Sequence, residues 1–344
     1  LEFRRVLFRS RGFQRLRKKY DILGPEQFRD FWNIYNTNTG RPVLEEFEEG
    51  KELPAHTDWQ DEIINTGSVT DLISSTPVEN YSLTVSGGSE KNTYLLSGRY
   101  FRQDGLLKKS GYKKFSVRIR GDHKLGEHIK FGENLIIARS NRDRSSELGG
   151  IVRQMLIADP TASPYDSTGN WTDLNRSGYG LNPVGLVDRR EYIYDNDRYF
   201  GHGYLDITIL PSLVFHTTIG YDVNLGDMEE FLPEYYINPA DKRDLAIFRK
   251  RKERWNNFDI ENTLTFNKTF GKHDVTAMVG YTYQNERFVD MRTTFTGFPY
   301  EEDYMRYPDV PNPLDVVTEM GSSPMEYTIS SLLSRVMYSF DEQL

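Results

Sequence analysis

The residues that could bind a metal ion are spread thinly along the sequence. The six histidines are His56, His123, His128, His202, His216 and His273. They show no HExxH or other tight ligand spacing, so no metal site is expected on them. Asp166, Asn170 and Asp173 lie in the run DSTGNWTD, which lacks the spacing of an EF-hand loop and its terminal glutamate. A solvated turn is therefore favoured over a calcium loop.

Catalytic motifs are equally absent from the sequence. It contains no GxSxG motif, phosphate-binding glycine loop or dinucleotide fingerprint. With no cysteine, it has no disulfide, thiolate metal site or cysteine nucleophile. The many carboxylates do not indicate a glycosidase, because that chemistry requires two of them held at a defined separation. We expect neither an enzyme nor a bound cofactor.

Two tryptophans are the candidates for ligand contact. Trp171 and Trp255 fall in segments between strongly alternating runs and could stack on the faces of sugar rings, although packing within loops is favoured. The run RKRKER over 249–254 could bind nucleic acid or an anionic glycan, but the net charge of −8 gives no general attraction for nucleic acid. We expect solvated or lipopolysaccharide-proximal charge there, and no nucleic-acid partner.

The elements that position these residues are β-strands with two unlike faces. Phe115, Val117 and Ile119 alternate with Ser116 and Arg118, which is the period of a strand with one apolar and one polar side. The same alternation predicts strands at 12–17 (partial), 81–86, 93–102, 112–121, 129–140, 203–210, 213–221, 257–266, 274–283 and 331–340. No run approaches the roughly 18 to 20 apolar residues of a membrane-spanning helix. The fold class is all-β.

Short and long connections alternate between these strands. The segments 87–92, 122–128, 211–212 and 267–273 are short, whereas 103–111, 141–202, 222–256 and 284–330 are longer. This order is typical of an up-and-down barrel in an outer membrane, with tight periplasmic turns and long outer loops. Arg118 and Arg120 then face the lumen, since facing lipid costs about 2–4 kcal/mol each near the midplane. Glu133 falls on the same side of its strand as the apolar residues Phe131 and Leu135. It therefore lies near a rim, or a bulge shifts the alternation, or the lipid-facing side of that strand is wrongly assigned.

Two further patterns accompany the strands. Tyrosines near the ends of the runs suit interfacial girdles, although the β-propensity of tyrosine explains them equally well: Tyr81, Tyr94, Tyr100, Tyr112, Tyr204, Tyr221, Tyr283 and Tyr338. The segment 25–36 is predicted to be a short amphipathic helix over one rim, with Pro25 near its start.

Several sequence runs resemble a known family. Four runs resemble the early barrel region of SusC/RagA-type TonB-linked outer-membrane proteins. They are GFQRLRKKYDILGPEQFRDF from Gly12, TDWQDEI from Thr57, YSLTVSGGSEKNTYLLSGRYFRQDGLLKKSGYKKFSVRIRGDHKL from Tyr81 and IKFGENL from Ile129. HDVTAMVGYTY from His273 and SSLLSRVMYSFDEQL from Ser330 resemble further barrel strands of that family. The resemblance implies import of oligosaccharides or peptides across the outer membrane of Bacteroidetes-like bacteria. It also implies a 22-stranded barrel with a plug, energy from TonB, and a SusD-like surface lipoprotein as a lid.

The predicted organisation is that of a piece of such a barrel. Residues 1–11 resemble a translated sequencing-adapter scar and are left out of the fold prediction, with a genuine basic arm as the alternative. Residues 12–344 are assigned to the transmembrane barrel domain. Within it, 12–79 form a first partial strand and an outer loop with a short helix, 80–141 a four-strand meander, 142–202 a long outer loop, and 203–344 further hairpins and loops. The TonB-contacting N-terminal region, plug and last strands are expected to lie outside this sequence.

Two other classes of protein stay open. A soluble extracellular carbohydrate-binding β protein would pack the strand faces into two sheets. A passive porin or adhesin barrel would lack an energised plug. For the barrel piece, we expect an open sheet with two free edges, which makes the isolated chain prone to aggregation outside detergent.

Overall fold

The computed structural model describes residues 2–14, 18–53, 55–65, 76–144, 148–174, 180–239, 241–297 and 317–341. Within these ranges no helix has the length and apolar character needed to cross a membrane.

A single antiparallel sheet of eleven strands dominates the structure. Its strands are β1 (Glu2–Gln14), β2 (Thr76–Gly88), β3 (Asn92–Asp104), β4 (Gly111–Leu125), β5 (Ile129–Asp143), β6 (Glu191–Leu210), β7 (Leu213–Leu232), β10 (Ile247–Phe270), β11 (His273–Thr296), β12 (Val317–Gly321) and β13 (Met325–Phe340). Each strand pairs with its sequence neighbours from β1 to β7, β10 follows β7, and β12 and β13 both pair with β11. The order is that of an unclosed up-and-down barrel, which confirms the predicted fold class.

The alternation of short and long connections is confirmed. Tight turns occupy 89–91, 126–128, 211–212 and 271–272, and longer connections occupy 15–75, 105–110, 144–190, 233–246 and 297–316. The tight turns therefore gather at one end of the sheet, called here the turn rim, and the longer connections at the other, called the loop rim.

Several strands extend further toward the loop rim than the sequence predicts. The strands β10 and β11 each contain 24 residues, whereas alternation alone indicates about ten for each. About 9–11 residues suffice to cross the hydrocarbon core. Beyond that core both faces of a strand contact water, so the apolar alternation disappears although the hydrogen-bonded ladder continues. The predicted connections 141–202, 222–256 and 284–330 are accordingly too long.

The first strand also differs from its predicted bounds. It runs from Glu2 to Gln14 and pairs with β2 over its whole length, instead of covering 12–17. Residues 2–11, which were left out of the fold prediction, are thus part of the edge strand. Their origin as an adapter scar stays a prediction, since a paired backbone does not reveal where a sequence came from.

The two faces of the sheet have opposite character. Register places apolar side chains in continuous cross-strand rows on one face, including Leu83, Leu96, Ile119, Leu135, Ile219, Ile260 and Val279. Phe115 is 55% exposed and Val279 57%, so no second layer covers this face in the described part of the chain. This exposed face argues against a two-sheet sandwich. It is called the outward face, and the polar one the lumen face.

Glu133 lies on the outward face close to the turn rim. It pairs with Gly121 and Gly203 without a register shift, so a bulge does not explain its phase. Its Oε1 lies 3.5 Å from Nε2 of His123, a neighbour on the same face. Only two outward-facing rows separate the carboxylate from the 126–128 turn, which places it near the rim, where a charge costs little.

The predicted tyrosine girdles are partly wrong. Tyr81, Tyr94, Tyr100, Tyr221, Tyr283 and Tyr338 share the outward face. Tyr112 and Tyr204 are on the lumen face, where Tyr112 pairs with Arg142 and Tyr204 donates a 2.9 Å hydrogen bond to Asp122. A tyrosine near a strand end indicates depth in the membrane but not which face it occupies.

A small lobe covers part of the loop rim. It contains α1 (Pro25–Asn38), a 3-10 helix (Glu45–Phe47), α2 (Trp59–Ile63), α3 (Leu148–Ile157) and α4 (Pro183–Asp188), and a hairpin of β8 (Tyr235–Asn238) and β9 (Asp241–Arg243) belongs to the same rim. The helix predicted over 25–36 is confirmed as α1. The lobe core includes Trp59, whose indole N–H donates to Asp159 O at 2.9 Å, together with Ile63, Ile151 and Met155.

Candidate functional site

A surface dense in charged, amide and aromatic side chains lies on the lumen face near the loop rim. We call it the upper lumen wall, and register defines it as three rows that cross β4, β5, β6, β7, β10 and β11. The rows are Tyr112, Arg142, Tyr194, Met228, Arg251 and Arg292; Lys114, Ser140, Asn196, Gly226, Glu253 and Asp290; and Ser116, Ala138, Arg198, Asn224, Trp255 and Phe288. Strands are about 4.8 Å apart, so each row spans roughly 24 Å.

A buried carboxylate anchors the β11 end of this wall. The side chain of Asp290 is fully buried, and its Oδ2 lies 3.0 Å from Nη2 of Arg251 and 3.0 Å from Nε of Arg292. Its Oδ1 accepts a 2.6 Å hydrogen bond from the backbone N–H of Ser323. Two guanidinium groups and one amide thus compensate a charge that would be costly to bury alone.

The same carboxylate bridges the break between β12 and β13. Both strands continue one register against β11, but 322–324 is not part of the ladder. Pro324 has no N–H to give to the ladder. The neighbouring Ser323 N–H donates to the Asp290 side chain instead of to the backbone of β11. This hydrogen bond holds the interrupted edge against β11.

A glycine permits a side-chain contact across the middle of the upper lumen wall. The hydroxyl of Tyr194 on β6 donates a 3.2 Å hydrogen bond to Oε2 of Glu253 on β10. This bond crosses β7 at Gly226, which has no side chain to obstruct it. A Cβ on Gly226 would lie 2.5 Å from the Tyr194 hydroxyl oxygen. Glu253 also lies 2.8 Å from Nη1 of Arg251, so one polar network links Tyr194 to Asp290.

Trp255 belongs to the upper lumen wall. Its ring centroid lies 4.3 Å from that of Phe288, at an interplanar angle of 37°. The sequence assigned Trp255 to a connection, but it lies inside β10, because this strand begins at Ile247. Its indole is half-buried, with part of its surface on the lumen side. Contact between this residue and a ligand stays a proposal.

Trp171 has different surroundings, within the loops at the rim. The guanidinium of Arg189 lies 5.6 Å from the Trp171 ring and 4.0 Å from the ring of Tyr235. Arg189 also forms a buried ion pair with Asp241 at 3.0 Å. These contacts link Trp171 and Arg189 to the β8–β9 hairpin. The structure therefore does not bring the two tryptophans into one cluster. The role of Trp171, in loop packing or in ligand contact, stays a prediction.

The basic run 249–254 is part of β10 and does not precede a strand as predicted. Because strand side chains alternate, its charges divide between the two faces. Arg249 is on the lumen face and pairs with Glu230 at 2.9 Å, and Lys252 is on the outward face and lies 3.4 Å from Asp227. The run is therefore not one continuous basic patch.

The residues considered for metal binding show ordinary local structure. Asp166 Oδ1 accepts hydrogen bonds from the N–H and hydroxyl of Thr168 and from the N–H of Asn170, which confirms the predicted turn. The Thr168 hydroxyl bond and the backbone bonds lower the pKa of Asp166 below its usual value. His202 and His216 lie on β6 and β7, as predicted. No cluster of three potential ligands occurs within the described ranges.

Comparisons with known proteins agree with this architecture. No family model matches the chain. The chain is 29% identical to TonB-dependent receptor P3 of Formosa agariphila over 284 residues, which cover 80% of the chain and 26% of that receptor. It is 23% identical to TonB-dependent receptor SusC of Bacteroides thetaiotaomicron over 308 residues, or 79% of the chain and 27% of SusC. The chain thus spans about a quarter of the length of the curated relatives it matches.

Solved structures show the same fold. The RagAB peptide importer in its closed-closed state matches with a TM-score of 0.77 and 20% identity, over 99% of this chain and 41% of that one. The RagAB peptide transporter matches with a TM-score of 0.78 and 19% identity over the same shares. The matched proteins are named as receptors and transporters, not as enzymes. These relatives confirm the resemblance to SusC/RagA-type TonB-linked outer-membrane proteins predicted from the sequence, and with it the location in the outer membrane.

Proposed function

We propose that the protein imports oligosaccharides or peptides across the outer membrane. The supporting observation is the two-faced open sheet, with an exposed apolar face on one side and a wall rich in charges, amides and aromatic rings on the other. The first surface suits acyl chains and the second an aqueous conduit. The likeness to TonB-dependent receptors over four-fifths of the chain supports the same proposal.

The proposed mechanism uses partners outside this sequence. A SusD-like surface lipoprotein captures the ligand and closes over the loop rim, and TonB supplies the energy that displaces a plug. The lobe around Trp59, with α3 and α4 from the connection between β5 and β6, lies at the rim where such a lid would close. The division of residues 12–344 into the partial strand, meander, loop and hairpin regions is part of this proposal.

Uptake in cells tests the function. In a strain that lacks the gene, we expect the complete receptor gene to restore accumulation of a labelled oligosaccharide or peptide, and a protonophore to abolish that accumulation. A passive porin would keep its uptake in the presence of the protonophore. A receptor that stays in the soluble fraction, or restores no uptake of any tested ligand, would contradict the proposal.

A further inference from the structure

Charges on the lumen face are segregated between its two halves. The strands β3 to β5 contribute Arg99, Lys114, Arg118, Arg120 and Arg142, against one carboxylate near the turn rim, Asp122. The strands β7, β10 and β11 contribute most of the acids of this face, namely Asp222, Glu230, Glu253, Asp259, Glu261, Asp274, Glu286 and Asp290. The basic half occurs in a chain whose net charge is −8, so it does not reflect a general excess of cations.

Four cations of the basic half have no carboxylate partner among the described residues. Arg99 and Arg118 donate instead to the side-chain amide oxygens of Asn80 and Asn134, and the other two are Lys114 and Arg142. Arg120 lies 3.2 Å from Asp122, and Arg198, on neighbouring β6, lies 2.6 Å from Asp222. Among the described residues, no carboxylate lies within 4.0 Å of the charged groups of Lys114 or Arg142. The two are diagonal neighbours on β4 and β5, a placement that sets their Cα atoms about 7–8 Å apart. Both can therefore contact one anionic group.

The surroundings of these cations offer groups that suit a sugar. Lys114 and Arg142 line a groove of about 450 Å³ on the upper lumen wall. Its other lining residues are Tyr112, Ala138, Ser140, Tyr192, Tyr194, Asn196, Arg198 and Asn224. Tyrosine rings can cover the apolar face of a pyranose, while hydroxyl and amide groups bind its hydroxyls. Arg142 already lies 6.0 Å from the centroid of the Tyr112 ring, so charge and aromatic surface meet at one point.

The groove is less suited to an acidic peptide. Extended peptides commonly bind by adding a strand to a free sheet edge. The groove lies across β4, β5 and β6, and both edges of each of these strands are already paired. No backbone edge is free there to pair with a peptide, whereas side chains that bind a polyhydroxylated ring are abundant.

We propose that this groove binds an acidic oligosaccharide, with Lys114 and Arg142 contacting a uronate carboxylate or a sulfate ester. The inference rests on the proposed function and names the class of substrate for the same lumen. The sugar ring lies against Tyr112 or Tyr194, and its hydroxyls contact Ser140 and Asn196. Because the contacts are largely electrostatic, added salt weakens the complex.

Binding to the complete receptor, purified in detergent, tests this site. Calorimetry compares hexagalacturonate, a sulfated galactan hexamer, neutral maltohexaose and a hexaglutamate peptide. We expect one or both anionic sugars to bind more tightly than maltohexaose and hexaglutamate. The variant K114Q/R142Q should weaken binding of the preferred anionic sugar at least about tenfold, since it removes two charge-assisted hydrogen bonds to the anionic group. The control K252Q/R254Q removes two cations from the outward face and should leave affinity unchanged.

Three results would overturn the inference. The first is that maltohexaose binds as tightly as the anionic sugars or more tightly, and the second is that hexaglutamate binds more tightly than they do. The third is that K114Q/R142Q loses less than twofold in affinity while it keeps the heat-dependent gel mobility of the barrel. If K114Q/R142Q loses that mobility, the single variants K114Q and R142Q replace it under the same criterion. The uptake experiment separates this inference from the proposed function: protonophore-sensitive uptake with charge-independent binding rejects the anionic subsite alone, whereas absence of all uptake rejects the importer.

Discussion

Removal of the Asp290 carboxylate should loosen the sheet edge formed by β12 and β13. In D290A, the Ser323 N–H loses its acceptor, and Arg251 and Arg292 lose a shared carboxylate. Breaking a fully buried ion pair costs about 3–5 kcal/mol. The two arginine side chains are 32% and 49% exposed, so water can solvate them and reduce the cost. We expect about 2 kcal/mol, including about 1 kcal/mol or more from the Ser323 amide.

Hydrogen exchange measures this loss where it occurs. An opening free energy lowered by about 2 kcal/mol accelerates amide exchange about 30-fold, since 1.4 kcal/mol corresponds to a factor of ten. We expect that acceleration at Ser323 and its neighbours on β12 in D290A, and a smaller one in D290N, which keeps an acceptor oxygen. The control D227N changes a half-buried carboxylate on the outward face, which lies 3.4 Å from Nζ of Lys252. A change below twofold in D290A, or an equal change in D227N, would refute the assignment of Asp290 as the anchor.

Three further expectations follow from local contacts. Gly226→Ala should lower the stability of the receptor by about 1–3 kcal/mol in thermal gel-shift assays, because its Cβ overlaps the Tyr194 hydroxyl, and Y194F should restore part of the loss. Trp255→Leu should weaken oligosaccharide binding about fivefold by calorimetry, since aromatic contacts contribute about 0.5–1.5 kcal/mol, and an unchanged affinity would exclude this ring from the ligand site. For Asp58, burial alone raises the pKa, but hydrogen bonds from Lys19 and the Gln60 N–H outweigh it and lower the pKa. The ionised Asp58 stabilises the lobe fully above its pKa in the unfolded chain, about 3.9, and this stabilisation is lost as pH falls through its lower pKa in the folded protein. Acid below about pH 4 should therefore increase proteolysis near α2 in the wild type, and D58N should show no such additional increase.

The sequence predicts well those strand segments that lie within the hydrocarbon core of the membrane. Phe115, Val117 and Ile119 alternate with polar residues because one side contacts an apolar phase and the other water, and this contrast is visible in one chain. Above the membrane the contrast vanishes. Lys252 and Glu253 point to opposite faces and both are charged, so period-2 analysis cannot detect the strand.

The upper lumen wall is hidden from sequence analysis for the same reason. Trp255 was recognised as a candidate, but its contact with Phe288 depends on a pairing between β10 and β11 that follows only from extending the register beyond the predicted strands. The partners of Asp290 are spread over β10, β11 and the segment after β12. The pairing of charges so far apart in the sequence can be predicted only when the strand register is known.

The central claim is that the outward face contacts lipid and the lumen face contacts water. The given sequence has no cysteine, so single cysteines at Val117 and Ser116, adjacent residues on opposite faces, can carry a nitroxide spin label once any cysteine elsewhere in the complete receptor is replaced by serine. In the complete receptor reconstituted into bilayers, we expect the label at Val117 to collide mainly with dissolved oxygen and the label at Ser116 mainly with a water-soluble nickel chelate. Protection of the Val117 label from both reagents, as in the interior of two packed sheets, would contradict the account.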